Sequence, residues 1–162
     1  MPELDTMAAP VGVLLKERGE SVAVCESACG GVISAALGAV PGASAYYLGG
    51  AVSYTNESRQ RLLRIADKAM EGLRPSSEPY ALLNARTVRD TLGATWGLSE
   101  TGASGPTVNR YGDSAGHACI AVVGPVERVI TVETGDSDRE ANMWVFARAA
   151  LDLLEECLGQ VK

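Results

Sequence analysis

The chain has 162 residues, of which 46% are apolar and 21% charged. That is the length of one domain, expected to span residues 1–162, and too apolar for a disordered segment. A formal net charge of −6 argues against a general binder of phosphate backbones, so no nucleic-acid partner is expected.

The pattern along the chain interleaves helices and strands. Residues 8–18 carry Val11, Val13, Leu14 and Leu15 at helical spacing, and Gly19 closes that helix. Residues 21–25 read as a short buried strand. Gly30 and Gly31 follow, and Val32, Ile33, Ala35, Ala36 and Leu37 make an apolar helix that Pro41-Gly42 ends. Residues 49–55 read as a strand, with Asn56 as N-cap of a helix over 57–63. Ser77-Glu78-Pro79 opens a helix through Leu92, with proline early, where its missing N–H costs little. Residues 97–101 read weakly as a strand, and 102–116 as a loop. Residues 117–123 and 128–134 form a hairpin across Gly124-Pro125, and a last helix covers 138–158. The sum is a single three-layer α/β/α domain with a mixed, mostly parallel sheet.

Location and metals follow from the same residues. No apolar run approaches the roughly 20 residues of a membrane span, and the start is acidic at Glu3 and Asp5. A soluble cytoplasmic domain with no membrane partner is expected. Cys25, Cys29, Cys119 and Cys157 match no paired zinc spacing, and His117 is the single histidine, so no metal or cofactor is expected. The cysteines read as buried free thiols and His117 as a half-buried strand residue.

The segment Glu26-Ser27-Ala28-Cys29-Gly30-Gly31, between a strand and a helix, is the most informative. Such a turn lies at the carboxyl end of a sheet strand, where ligands bind. Its free N–H groups suit a phosphate or a developing oxyanion, and the glycines allow close approach. Ser27 is either a nucleophile or a helix cap with glycines for packing.

Four ordered motifs extend the reading: Glu26 to Gly31, Val40-Pro41-Gly42-Ala43-Ser44, Gly50-Ala51-Val52-Ser53-Tyr54-Thr55-Asn56-Glu57-Ser58-Arg59, and Thr101-Gly102-Ala103-Ser104-Gly105-Pro106. Together they resemble the C-terminal domain of the CinA family of competence/damage-inducible proteins. That pattern runs E-S-C-T-G-G, V-P-G-S-S, G-x-V-x-Y-S-N-E-A-K, then T-G-I-A-G-P. Gly135-Asp136 and Arg139 resemble its later G-D-R with two residues inserted. The resemblance runs from about Leu14 to Leu154.

The resemblance implies a nicotinamide-nucleotide amidohydrolase: a serine attacks the carboxamide of nicotinamide mononucleotide, giving nicotinic acid mononucleotide and ammonia. The catalytic positions fall on Ser27, Tyr54, Arg59 and Thr101. Substrate contacts fall on Glu26, Cys29, Gly30, Gly31, Asn56, Gly102, Gly105 and Arg139. A small nucleotide ligand and self-association are implied as well. The family's base is a lysine where Arg59 stands, and a guanidinium stays protonated. Lys16, Lys68 and Lys162 all lie outside the motifs. The alternative is a catalytically silent nucleotide- or phosphate-binding sensor or interaction module on the same fold. A weaker alternative is a hydrolase using Cys29, whose other reading is a packed side chain. Residues 107–117 depart from the family pattern, and Arg110 among them reads as a solvated side chain more than as an anion ligand.

Overall fold

The computed structural model describes residues 3–161. Its elements run α1 (Leu4–Arg18), β1 (Val22–Glu26), α2 (Val32–Ala39), β2 (Tyr47–Val52), α3 (Asn56–Arg61), α4 (Glu78–Leu92), β3 (Trp96–Ala103), β4 (His117–Val123), β5 (Glu127–Glu133) and α5 (Arg139–Gln160). The sheet order is β2-β1-β3-β4-β5. Strand β1 pairs in parallel with β2 and β3, whereas β3–β4 and β4–β5 are antiparallel. Four strands therefore run one way and β4 alone runs back, the mixed, mostly parallel sheet expected.

Helices α1, α2 and α5 cover one face and α4 the other. The larger core joins Leu15, Ile33, Leu37, Leu98, Ile120, Phe146, Leu151 and Leu154. Smaller clusters under α4 join Ala23, Cys25 and Val88, and then Ala81, Ala85 and Cys119. Strand β1 is buried along its whole length, as a parallel strand covered on both faces must be.

Element boundaries moved for local reasons. Helix α1 starts at Leu4 rather than Ala8, because Met7 is buried and Pro10 is accommodated inside the helix. Thr55, not Asn56, caps α3: its hydroxyl accepts from Ser58 N–H, and Ser58 Oγ accepts from Thr55 N–H at 2.9 Å. That helix also ends two residues earlier than expected, at Arg61. Strand β2 begins at Tyr47, and β3 extends to Ala103. Gly50 has a packing reason, since a Cβ there would meet the Val24 carbonyl oxygen at 1.9 Å.

Candidate active site

Strand β1 carries the chain to Glu26, and residues 27–31 turn it into α2 with Ser27 half-buried at the bend. The expectation of free N–H groups in this turn is corrected. Glu100 Oε2, reaching over from β3, accepts from Ser27 N–H at 3.1 Å and from Cys29 N–H at 2.9 Å. Glu26 Oε1 accepts from the N–H groups of Gly31 and Ile33, at 3.1 and 2.9 Å, and its Oε2 from Ser34 N–H at 2.8 Å. The Gly30 N–H bonds back to the Ser27 carbonyl. Ala28 N–H is the one amide of residues 27–31 with no acceptor among the described residues.

Four expected substrate contacts therefore have another role. Glu26 is fully buried and closes the N-terminus of α2, where a carboxylate suits the helix dipole. Gly30 and Gly31, at φ 63° and 110°, make the left-handed steps into α2 and lie outside the cavity lining. Cys29 is also fully buried and outside the lining. Burial, with the charges of Glu100 and Glu26, pushes its thiol well above the usual range, which makes it an inert packed side chain.

A cavity of about 690 Å³ opens above the turn. It brings together Ser27, Tyr54, Asn56, Thr101, Gly102, Gly105 and Arg139 from four separate segments. Arg139, the first residue of α5, donates to Tyr54 Oη at 2.6 Å and to the Gly105 carbonyl. Its guanidinium thus joins the segment after β2 to the loop after β3. Thr101 Oγ1 accepts from Ser76 N–H at 3.1 Å, and Ser104 Oγ donates to the Ala28 carbonyl at 3.1 Å. Gly102 fits because a Cβ would meet the His117 carbonyl oxygen at 2.2 Å.

Arg59 is not in that lining. It is buried behind Asn56, donating to Asp67 at 2.7 Å and to Asn56 Oδ1 at 3.4 Å, with its Nε unpartnered. The position expected to carry catalysis therefore holds a structural ion pair to the short helical turn Asp67–Met70. Lys68 on that turn is exposed and outside the lining, as is Lys16. Lys162 lies outside the described residues.

The loop over residues 104–116 borders the cavity, and Arg110 lines it, with its guanidinium 5.9 Å from the Tyr111 ring centre. Arg74 stacks 5.6 Å from that ring and donates twice to Asp113, at 2.8 and 3.1 Å. His117 is buried below: one ring nitrogen meets Glu133, the other the Ser76 carbonyl at 2.8 Å. Burial pulls this imidazole down, but Glu133, the Ser76 carbonyl and Asp113 leave it above its usual value.

Glu100 was missed by motif reading. Burial, opposed by the Cys29 and Ser27 N–H bonds and aided by the Glu26 charge, pushes its carboxyl up to about 7. Its signal was a carboxylate inside a strand whose other residues are almost all closed to water. Ser76 and Tyr80 also line the cavity and stood in no motif, as do Ser53 and Ser104, which stood in two of the motifs without an assigned role. Among the described residues no cluster suits a metal ion, and no helix is long and apolar enough to cross a membrane.

Comparison with known proteins places this geometry. The family model of the CinA C-terminal domain matches residues 4–158. The CinA-like protein of Gloeobacter violaceus is 38% identical over 152 residues, 93% of this chain and 36% of that protein. The CinA-like protein of Chlorobium limicola is 34% identical, over 97% of this chain and 39% of its own length. The chain thus spans little more than a third of these curated relatives. The crystal structure of competence damage-inducible protein A from Klebsiella pneumoniae superposes with a TM-score of 0.91 at 23% identity, covering 99% of this chain and 100% of that one. The competence/damage inducible protein CihA of Agrobacterium tumefaciens gives 0.87 at 25% identity, over 99% and 98%. With the family model matching residues 4–158 and the relatives above 30% identity over nearly the whole chain, the chain belongs to the CinA family and corresponds to its C-terminal domain.

Proposed function

We propose that the chain hydrolyses the carboxamide of nicotinamide mononucleotide, with Ser27 as nucleophile. The observation that carries the reading is the meeting of Ser27, Thr101 and the Arg139–Tyr54 pair around one cavity of mononucleotide size. Ser27 Oγ attacks the carboxamide carbon, and the Ala28 N–H is the turn donor left for the developing oxyanion. With Arg59 turned to Asp67, no lysine among the described residues lines the cavity to take the serine proton. We assign that step to Tyr54, whose Oη takes the Ser27 proton while passing its own to the leaving nitrogen. Ammonia departs, and water then releases nicotinic acid mononucleotide from Ser27 by the reverse relay. Arg110 and Arg139 suit the substrate phosphate. The reading carries a cytoplasmic setting, which four free cysteines suit, and a second copy of the chain as partner. Edge strand β2 offers exposed Leu48 and Val52 to such a copy.

A second reading, a nucleotide-binding module without turnover, is favoured by one observation, the burial of Arg59 away from Ser27. Ammonia release from nicotinamide mononucleotide, measured for wild type, Arg59→Lys and Ser27→Ala, separates the two. Turnover in wild type that Ser27→Ala abolishes is the expected result. Silence from all three, with the nucleotide still raising Tm, selects the binding module.

A further inference from the structure

The Glu100 carboxylate has two oxygens in different situations. Oε2 takes two backbone N–H groups from the turn, one of them Ser27's own. Oε1 is buried with no hydrogen-bond partner among the described residues. A charged oxygen with no donor in a site closed to water is costly, and adding a proton there removes the charge. We propose that Glu100 is a positioning residue that sets the Ser27 turn through its own proton: ionised, it grips the Ser27 and Cys29 N–H groups, and protonated, it loosens them.

The strength of that grip is the physical lever. A hydrogen bond to a charged oxygen is about twice as strong as one to a neutral oxygen. Losing the charge weakens two bonds at once, on the residue that carries the nucleophile and on the residue two further along. The titratable groups around Glu100 are few. Glu26 lies beside it at the end of β1, Cys29 stands in the turn, and Cys25 lies on β1. Ile120 of β4, opposite Glu100, and Met143 of α5, against the Cys29 thiol, are uncharged. Cys25 and Cys29 are both pushed far above neutrality by burial and the two carboxylates, so neither exchanges a proton there. Glu100, held near about 7, does. Glu26 grips a separate set of N–H groups, those of Gly31, Ile33 and Ser34, which supplies an internal reference.

The catalytic consequence rests on Ser27 being the working nucleophile, whereas the backbone consequence does not, and the test uses both. Backbone amide resonances of Ser27 and Cys29 are followed from about pH 5 to about pH 9 in the ligand-free protein, for wild type and Glu100→Gln. The expected result is a shared transition of the two amides near neutrality in wild type, with Gly31, Ile33 and Ser34 moving far less. Glu100→Gln, which keeps an acceptor but has no proton to exchange, abolishes the transition. Amides of Ser27 and Cys29 that stay still in wild type, or that titrate unchanged in Glu100→Gln, overturn the proposal. Wild type alone decides this arm, so it stands even if the variant folds poorly. In the activity arm, ammonia release in wild type falls about tenfold per pH unit on the acid side of neutrality, and Glu100→Gln flattens that limb. A purely structural role would instead lower the rate equally at every pH, which also overturns the proposal. Absent turnover with the amide transition intact sinks the amidase reading and leaves the role of Glu100 standing.

Discussion

The Ser27 turn and the loop over residues 104–116 border the same cavity but are held by different means. The turn is fixed by two carboxylates closed off from water, each spending oxygens on backbone N–H groups of neighbouring residues. The loop is fixed by partly exposed side chains: the Arg74–Asp113 pair, and Asn109 Oδ1 accepting from the N–H groups of Tyr111 and Asp113. A buried carboxylate cannot trade its partners for water, so the turn keeps the same partners and changes only as a carboxylate gains or loses its proton. An exposed pair trades with water at little cost, so the loop has latitude to fit a ligand.

The largest expected effect is on the turn. Glu26→Leu strips the acceptor from three N–H groups at the start of α2 and should destabilise by about 4 kcal/mol. Thermal denaturation should show Tm falling by roughly 10 °C. A fall of a degree or two would put the turn on the same footing as the loop.

The second effect is pH-dependent. Glu100 in the fold holds its proton up to about 7, against an ordinary value of 4.5, so the folded state binds the extra proton between those values. Its contribution to stability is fully present below about 4.5 and is lost as pH rises through about 7, a difference of roughly 3 kcal/mol. Glu100→Gln should therefore gain stability over wild type at about pH 8 and lose that advantage towards about pH 5, as read by urea denaturation at each pH. A constant difference across that range would remove the buried charge from the account.

The smallest effect is on the loop. Arg74→Ala should cost at most about 1 kcal/mol and less in high salt. Denaturation midpoints with and without added salt check it. A loss as large as that from Glu26→Leu would erase the contrast between the two regions.

Those contrasts also explain what could be read from residues alone. The order of helices and strands was legible because apolar periodicity and glycine punctuation are local signals. The gathering of Ser27, Tyr54, Thr101 and Arg139 followed from the family pattern, even with two residues inserted before Arg139. The part played by Glu26 was missed through one residue of strand length. With the strand ending at Glu26 instead of Cys25, side-chain alternation turns Glu26 to the same face as Val24, under α2. The fate of Arg59 depends on Asp67, which reaches it from a short helical turn no periodicity announces. Glu100 depends on a neighbour relation between β1 and β3, 73 residues apart at the Ser27 contact, and no local pattern encodes that.

Residues 106–113 donate no hydrogen bond to the Ser27 turn, whose support comes from Glu26, Glu100 and the Ser104 hydroxyl. The rim can accordingly be rewritten by mutation without disturbing the supports of the Ser27 turn. Ligand preference and the geometry of the Ser27 turn are then separately heritable. A library confined to residues 106–113 would explore new ligands above an unchanged turn.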